Sequence, residues 1–383
     1  MNQVDEHWMR IALDLAAKAR GCTSPNPLVG AVIVKDGQLL GSGYHMRAGS
    51  PHAEVVALQQ AGAAARGADM YVTLEPCAHY GRTPPCSEAL VAAGIGRVVA
   101  AMVDPNPLTA GKGLARLRQA GVDVELGLLE EEARKLNAPF ITYVTKMRPH
   151  VLWKVASTLD GKTATRTGAS KWITCRQARA LVHELRQQLD AIMIGVGTIL
   201  ADDPLLTARP EGQEPTHVRQ PLRIIADSRL RIPFHARCIS PHTPGRTIVA
   251  TTEDAPPAKA EQLRQRGVDV WVAPAREGRV DVAALLRDLA QLEITSLLLE
   301  GGSTLAGAFF DLQLIDACLV FVAPVLFGGA GASTVLGGLG VADPSCAPRL
   351  DDPHWQQVGP DFLVEGALLW PPQKRGDALC SQD

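Results

Sequence analysis

The sequence predicts two consecutive α/β domains. Three observations carry that expectation. The chain has 383 residues, more than one hydrophobic core of ~100–200 residues usually serves. Apolar, strand-like runs alternate with helix-period segments along both halves. The pattern also resets at Pro149, beyond which a new apolar run begins. The expected boundaries are 1–147 for the first domain, 148–372 for the second and 373–383 for a mobile tail.

In the first half, residues 7–19 place Met9, Ile11, Ala12, Leu15, Ala16 and Ala19 at spacings of three and four, the pattern of an amphipathic helix. After the Pro/Asn-rich Ser24-Pro25-Asn26-Pro27, runs 29–34 and 38–44 flank the turn Lys35-Asp36-Gly37 and read as a β-hairpin. Residues 52–61 and 86–93 read as helices, 70–74 and 97–102 as strands, and 113–120 as a further helix. In the second half, 151–156, 191–196, 222–226, 247–251, 268–273, 297–299 and 319–323 are short apolar runs with helical or loop segments between them. They read as a second sheet. Segments 209–221 and 232–244, rich in Pro, Arg and His, read as loops, and the chain shows no internal repeat.

Hydrophobic residues make up 46% and charged residues 20%, the make-up of a soluble globular protein, which rules out disorder as the main state. Lys plus Arg (38) nearly balance Asp plus Glu (40) without a long block of either sign, so no nucleic-acid partner is expected. The least polar stretch, 317–332, is interrupted by Pro324 and several glycines and falls short of the ~20 apolar residues a spanning helix needs. No membrane association is expected. The N-terminus carries Asp5, Glu6 and Asp14 and lacks a basic start before an apolar run, so a cytoplasmic location is expected. Eight cysteines in so long a chain, in a reducing compartment, read as metal ligands or buried thiols rather than disulfides.

The chemistry starts at His52-Ala53-Glu54, followed by Pro76-Cys77 and Cys86. One imidazole and two thiolates suit tetrahedral zinc and leave its fourth position open, which lowers the pKa of bound water towards ~7. A His-x-Glu followed by Pro-Cys-x-x-Cys is the signature of zinc deaminases, in which the Glu moves protons and is not a ligand. Glu54 fits that role: it accepts a proton from water, passes it to a ring nitrogen of the substrate and helps ammonia leave. Here eight residues, Ala78-His79-Tyr80-Gly81-Arg82-Thr83-Pro84-Pro85, separate the two cysteines where the general pattern has two. Their closing Pro pair can fix Cys86 at a helix start. Spacing alone also admits a structural zinc site or two unrelated buried cysteines. A closed structural site needs a fourth ligand, for which His79 and His45 are the candidates.

Together, the run 25–30 (Pro-Asn-Pro-Leu-Val-Gly), His52-Ala53-Glu54, the run 75–86 and Asp104-Pro105-Asn106-Pro107 resemble the bifunctional riboflavin-biosynthesis deaminase/reductase family. Its long Cys–Cys insertion separates that family from tRNA adenosine, cytidine and guanine deaminases. The resemblance implies a cytidine-deaminase-like three-layer first domain. It would hold one zinc on His52, Cys77 and Cys86 and hydrolyse an amino group from the pyrimidinone of a ribosylamino-pyrimidine 5′-phosphate. It further implies that Asn26 and His45 contact the base, and that His79, Arg82 and Thr83 line the pocket or hold phosphate.

In the second half no Gly-x-Gly-x-x-Gly follows a strand, since Gly195-Val196-Gly197 continues as Thr198-Ile199-Leu200; this disfavours a Rossmann fold. Two other glycine-bearing segments follow apolar strands, 194–209 and Glu300-Gly301-Gly302-Ser303-Thr304-Leu305. Glycines there let the backbone approach a ligand, and Ser303-Thr304 open a helix whose N–H groups can hold a diphosphate. Plain turns would look the same. With 154–162 and 168–174, these segments extend the family resemblance over the whole chain and imply a dihydrofolate-reductase-like α/β domain. By that resemblance NADPH reduces the ribosyl group to ribityl, delivering hydride to the sugar C1′ in its ring-opened imine form. The NADPH contacts carried over are Ala156, Trp172, Thr198, Asp202, Ser228, Gly302, Ser303, Thr304, Leu305, Ala306, Gly307 and Ala308. The substrate contacts carried over are Lys154, Ser170, Arg186, Leu206, Arg209 and Glu300.

Arg186 and Arg209 suit a 5′-phosphate because guanidinium pairs with phosphate through two hydrogen bonds. Asp227-Ser228-Arg229, at the C-terminal end of the run 222–226, offers donors for the cofactor's 2′-phosphate, with Asp227 expected to cap the turn instead. A homo-oligomer is a family expectation. The alternative reading is a zinc nucleobase or RNA deaminase with an accessory ligand-binding domain, but six Trp, four Tyr and seven Phe with a net charge of −2 offer RNA little. A non-enzymatic zinc-stabilised binding protein is the third reading, and Glu54 tells against it.

Overall fold

The computed structural model describes residues 3–79 and 85–372. The chain divides into two compact units between His150 and Val151, with residues 287–295 grouped with the first.

The first unit runs α1 (Gln3–Ala17), β1 (Gly30–Lys35), β2 (Gln38–Tyr44), α2 (Ala53–Ala61), β3 (Asp69–Val72), α3 (Cys86–Ala93), β4 (Arg97–Ala100), α4 (Lys112–Gln119), β5 (Asp123–Leu126), α5 (Glu130–Leu136) and α6 (Ala138–Lys146). Its five strands lie in the order β2-β1-β3-β4-β5. β1 is antiparallel to β2 and β3, and β3, β4 and β5 are parallel. The period of two along β1 explains the layering. Ala31 and Ile33 meet Ala53, Ala57, Leu90, Leu114 and Leu117 from α2, α3 and α4. Val32 and Val34 meet Met9 and Ala12 of α1 and Ala133 of α5 on the other face. This is the expected three-layer arrangement. The first helix begins at Gln3 rather than at the expected residue 7, and β5, α5 and α6 were not foreseen.

The second unit is built on β6 (His150–Thr158), α7 (Arg176–Gln188), β7 (Ala191–Gly195), α8 (Val196–Asp202), β8 (Leu222–Ala226), β9 (Thr247–Thr251), α9 (Pro257–Gln265), β10 (Asp269–Val272), β11 (Ala275–Arg276), β12 (Arg279–Val280), α10 (Val282–Gln291), β13 (Ser296–Glu300), α11 (Ser303–Asp311), β14 (Ala317–Ala323), β15 (Arg349–Val358) and β16 (Asp361–Leu369). Nine strands form one sheet, β10-β9-β8-β7-β13-β6-β14-β16-β15, and β11 pairs only with β12. The pairs β10–β9, β9–β8, β8–β7, β7–β13 and β6–β14 are parallel, whereas β14–β16 and β16–β15 are antiparallel. Parallel strands covered on both faces read as unbroken apolar runs, as Ala191 to Ile194 and Leu297 to Leu299 do. Ile192, Ile194, Ile225, Val249 and Leu298 pack with Leu263 of α9 in the main core. Among the described residues no helix is long and apolar enough to cross a membrane.

Candidate active sites

In the first unit the starts of two helices bring the metal-type ligands together. His52 is the N-cap residue of α2, and Cys86 opens α3 behind Pro85, as the Pro pair implied. Cys77 lies in the segment that leaves β3. His52 Nδ1 lies 3.2 Å from Cys86 Sγ and 3.6 Å from Cys77 Sγ, and the Cys86 amide donates to Cys77 Sγ at 3.3 Å. Zinc bonds of ~2.0–2.3 Å in a tetrahedron set ligand atoms roughly 3.5–3.8 Å apart, so the trio fits the ion with little movement. Hydrogen bonding to Cys86 and to His52 draws the Cys77 thiol well below its usual value, towards the thiolate a metal takes.

No fourth His, Cys, Asp or Glu joins the trio among the described residues, and the remaining stretch 80–84 contains none. His79 is exposed and His45 is otherwise engaged, so the arrangement is that of an open site. The buried His45 accepts from Asn26 Nδ2 at Nε2 (3.0 Å) and donates from Nδ1 to the Pro51 carbonyl (3.2 Å), which fixes its tautomer. Asn26 and His45 thus act as one unit, with the His45 ring centre 5.5 Å from that of His52. Glu54, in the first turn of α2, is buried, and burial pushes its carboxyl up to about 6, where it can both take and give protons near neutrality. Arg82 and Thr83 lie outside the described residues.

In the second unit a cavity of about 1150 Å³ opens at the C-terminal ends of the parallel strands, where ligands gather in such sheets. Lys154 and Ala156 reach it from β6, Thr198 and Asp202 from α8, Arg186 from α7 and Ser228 from the turn after β8. Ser170 Oγ donates to Asp202 Oδ1 at 2.7 Å, and the Arg179 guanidinium lies 4.5 Å from the centre of the largely exposed Trp172 ring. Leu206 and Arg209 line the same cavity.

Gly301 and Gly302 have φ of +60° and +72°, and a Cβ on either would stand 3.1 to 3.3 Å from Thr198 Oγ1. This bare backbone at the start of α11 suits the diphosphate of a dinucleotide. Gly302, Ser303, Thr304, Leu305, Ala306 and Ala308 line the cavity. Gly307 does not: a Cβ there would lie 2.4 Å from the Gly337 carbonyl carbon, so it is a packing glycine on the far side of the helix.

The two arginines expected at the 5′-phosphate have different partners. Arg186 pairs with Glu300 through both Nε and Nη2, each at 2.8 Å, so its fork is already committed. Arg209 remains at the cavity, held by Thr207 and by His183 Nε2 at 3.3 Å. Burial would raise the Glu300 carboxyl, but Arg186 and Lys154 overcome this and hold it at about 2. Burial draws Lys154 below the usual lysine value. Asp227 Oδ2 accepts from the Ile232 amide at 2.7 Å, the turn-capping role foreseen for it, and Ser228 Oγ accepts from the Val280 amide at 3.0 Å. His183, which also lines the cavity, carried no sequence signal.

Residues 2–102 match the family described as the cytidine and deoxycytidylate deaminase zinc-binding region, and residues 149–364 match the RibD C-terminal domain. The riboflavin biosynthesis protein RibD of Escherichia coli (strain K12) is 46% identical over 371 residues, spanning 94% of this chain and 98% of that protein. The solved structure of Acinetobacter baumannii RibD is 41% identical, with a TM-score of 0.83, and the alignment covers 96% of this chain and 99% of that one. The diaminohydroxyphosphoribosylaminopyrimidine deaminase/5-amino-6-(5-phosphoribosylamino)uracil reductase of Thermotoga maritima is 37% identical, with a TM-score of 0.81 and coverage of 96% and 99%. A metal-type trio with its acid in a deaminase-like layer, a glycine-cradled cavity in a dihydrofolate-reductase-like one, and likeness along nearly the whole length place the chain in the RibD family of bifunctional riboflavin-biosynthesis deaminase/reductases.

Proposed function

We propose that residues 1–147 hydrolytically deaminate 2,5-diamino-6-ribosylamino-4(3H)-pyrimidinone 5′-phosphate, and that residues 148–372 reduce the product with NADPH to 5-amino-6-ribitylaminouracil 5′-phosphate. The observation that carries this reading is Glu54, buried and raised to about 6, two residues from a His/Cys/Cys trio of zinc dimensions in the same chain as the cavity.

In the first site, Zn²⁺ held by His52, Cys77 and Cys86 would bring the pKa of a water close to neutrality. Glu54 takes one proton from that water and passes it to the ring nitrogen next to the attacked carbon; it then moves the proton of the newly formed hydroxyl to the amine, which leaves as ammonia as the carbonyl forms. Asn26, oriented by His45, holds the pyrimidinone edge. His79, Arg82 and Thr83 of the Cys–Cys insertion are assigned to the phosphorylated end.

In the second site a bound NADPH would supply hydride to C1′ of the ring-opened imine. Its diphosphate is assigned to the start of α11, with Ala156, Trp172, Thr198 and Asp202 along its length. Lys154 gives the imine nitrogen the proton that balances the hydride, and its lowered pKa favours that transfer. Arg209 holds the 5′-phosphate, Ser170 and Leu206 flank the substrate, and Glu300 with Arg186 sets the charge around Lys154. Ser228 and Arg229 are assigned to the 2′-phosphate, with Arg231 and Arg279 lining the same cavity. Incubating the full chain with the diaminopyrimidinone substrate, with and without NADPH, and weighing the products tests the reading. Exchange of an amino group for oxygen is expected without NADPH, and a further gain of two hydrogens only with it.

A further inference from the structure

Glu75 precedes the ligand segment Pro76-Cys77 and is buried. Its carboxylate accepts four backbone N–H groups that come from a different part of the chain. Oε2 accepts from Asp104 at 3.1 Å and Gly111 at 2.9 Å, and Oε1 accepts from Gly113 at 2.8 Å and Leu114 at 3.2 Å. The Glu75 amide donates to the Met102 carbonyl at 2.9 Å. One side chain therefore gathers the loop after β4 and the first turn of α4 onto the segment that carries Cys77. A carboxylate this buried is stable only when its lone pairs are so satisfied, and the start of α4 adds the favourable end of a helix dipole.

The gathered loop is itself stiff. Asp104 Oδ1 accepts from the Asn106 amide at 2.9 Å, and Oδ2 from the Thr109 hydroxyl at 2.6 Å. Its contact with the ligand segment is close: a Cβ on Gly113 would stand 1.8 Å from the Pro76 carbonyl oxygen. On the other side, Cys77 Sγ takes the Cys86 amide at 3.3 Å, and the Cys77 carbonyl takes the Ser87 amide at 3.1 Å. Restraint thus runs from α4, through Glu75 and Pro76, to Cys77 and the start of α3.

We propose that Glu75 is a positioning residue of the deaminase metal site, fixing where Cys77 Sγ lies relative to His52 and Cys86. The inference rests on the zinc reading above. A site with three protein ligands draws its geometry from the backbone that carries each of them, and Glu75 clamps the backbone of one.

The test uses the full-length, zinc-loaded protein. Glu75→Gln keeps the side chain's shape, removes its charge and sets an NH2 group against backbone N–H donors. It is expected to weaken zinc binding about 10- to 100-fold in chelator competition, as loss of a ligand-supporting partner does. It should also shift the thiolate-to-metal absorption of the Co²⁺-substituted protein and lower deamination. Reduction of already deaminated substrate should stay at the parent rate, since that site lies in the second unit, and the far-UV circular dichroism should match the parent's, which shows that the first unit is folded. Gly113→Ala leaves the carboxylate intact but pushes on Pro76, and should give the same signature; it decides the matter if Glu75→Gln does not fold. Parent zinc affinity and an unchanged Co²⁺ spectrum in the folded variants would overturn the inference, even if their melting temperature falls. A parent protein that binds no zinc would overturn the zinc reading and this inference with it.

Discussion

Arg186 and Glu300 face each other through two parallel hydrogen bonds of 2.8 Å, with side chains only 13% and 11% exposed. Removing one partner of such a pair strands a buried charge, at a cost of about 3–5 kcal/mol, whereas replacing both with apolar groups costs far less. Glu300→Ala is therefore expected to destabilise the second unit strongly, and adding Arg186→Met should recover much of the loss. Urea unfolding of the two variants checks this, and a double variant no more stable than Glu300→Ala would count against it. The folded pKa of Glu300, about 2, lies below its ordinary 4.5, so folding favours the ionised form. That stabilisation is complete above pH 4.5 and drains away as pH falls towards 2. Acid titration of the second unit should be shallower in Glu300→Ala over that window.

His183 accepts from Arg209 at 3.3 Å, and guanidinium can only donate, so Nε2 must stay unprotonated. Burial, then Arg186, then Arg209 hold its pKa at about 4. His183→Ala is expected to raise the KM for the phosphorylated substrate several-fold with a smaller change in kcat, because Arg209 loses an orienting partner. Because the folded pKa lies below the ordinary 6.5, the neutral imidazole favours folding, and that contribution is lost as pH falls from 6.5 towards 4. The substitution should remove this part of the pH dependence of stability. An unchanged KM would show that Arg209 needs no such support.

Gly307→Ala places a methyl group 2.4 Å from the Gly337 carbonyl carbon. Either α11 or the 337–338 backbone must move, at about 1–3 kcal/mol. Since Ser303 and Thr304 start the same helix, the KM for NADPH should rise along with the loss of stability. Steady-state kinetics and a thermal melt check both, and a variant with parent stability would contradict the packing assignment.

Ser228→Ala with Arg229→Ala is expected to raise the KM for NADPH ~10-fold or more, in line with losing one charge-assisted hydrogen bond of ~1.5–3 kcal/mol, and to leave NADH use nearly unchanged. An unaltered preference between the two cofactors would move the 2′-phosphate elsewhere.

What could be read from residues alone followed residue chemistry. His52, Cys77, Cys86 and Glu54 were legible because zinc and proton transfer each demand particular side chains, and the trio sits together as foreseen. Glu75 carries no signal of its own within the run 75–86, because its partners are backbone amides 29 to 39 residues away and an amide has no residue identity. Thr109 carries no motif signal either, yet its hydroxyl donates to Asp104 Oδ2 at 2.6 Å. Arg186 was matched to phosphate on residue type, while the carboxylate that takes its fork is 114 residues away. Gly302 and Gly307 are alike in sequence, and only the helix face separates a cradle from a packing contact. β15 is an edge strand exposed along most of its length, so no alternation of buried and exposed positions marked it.

The most direct test of the account is a single product analysis on Glu54→Gln. The variant keeps the three ligands and removes only the group that moves protons, so the zinc content should match the parent's and no deaminated product should form from the diaminopyrimidinone substrate. Given already deaminated substrate and NADPH, the same protein should yield the ribityl product at the parent rate. Deamination at the parent rate would contradict the role of Glu54, and equal loss of both activities would contradict the assignment of the two reactions to two separate sites.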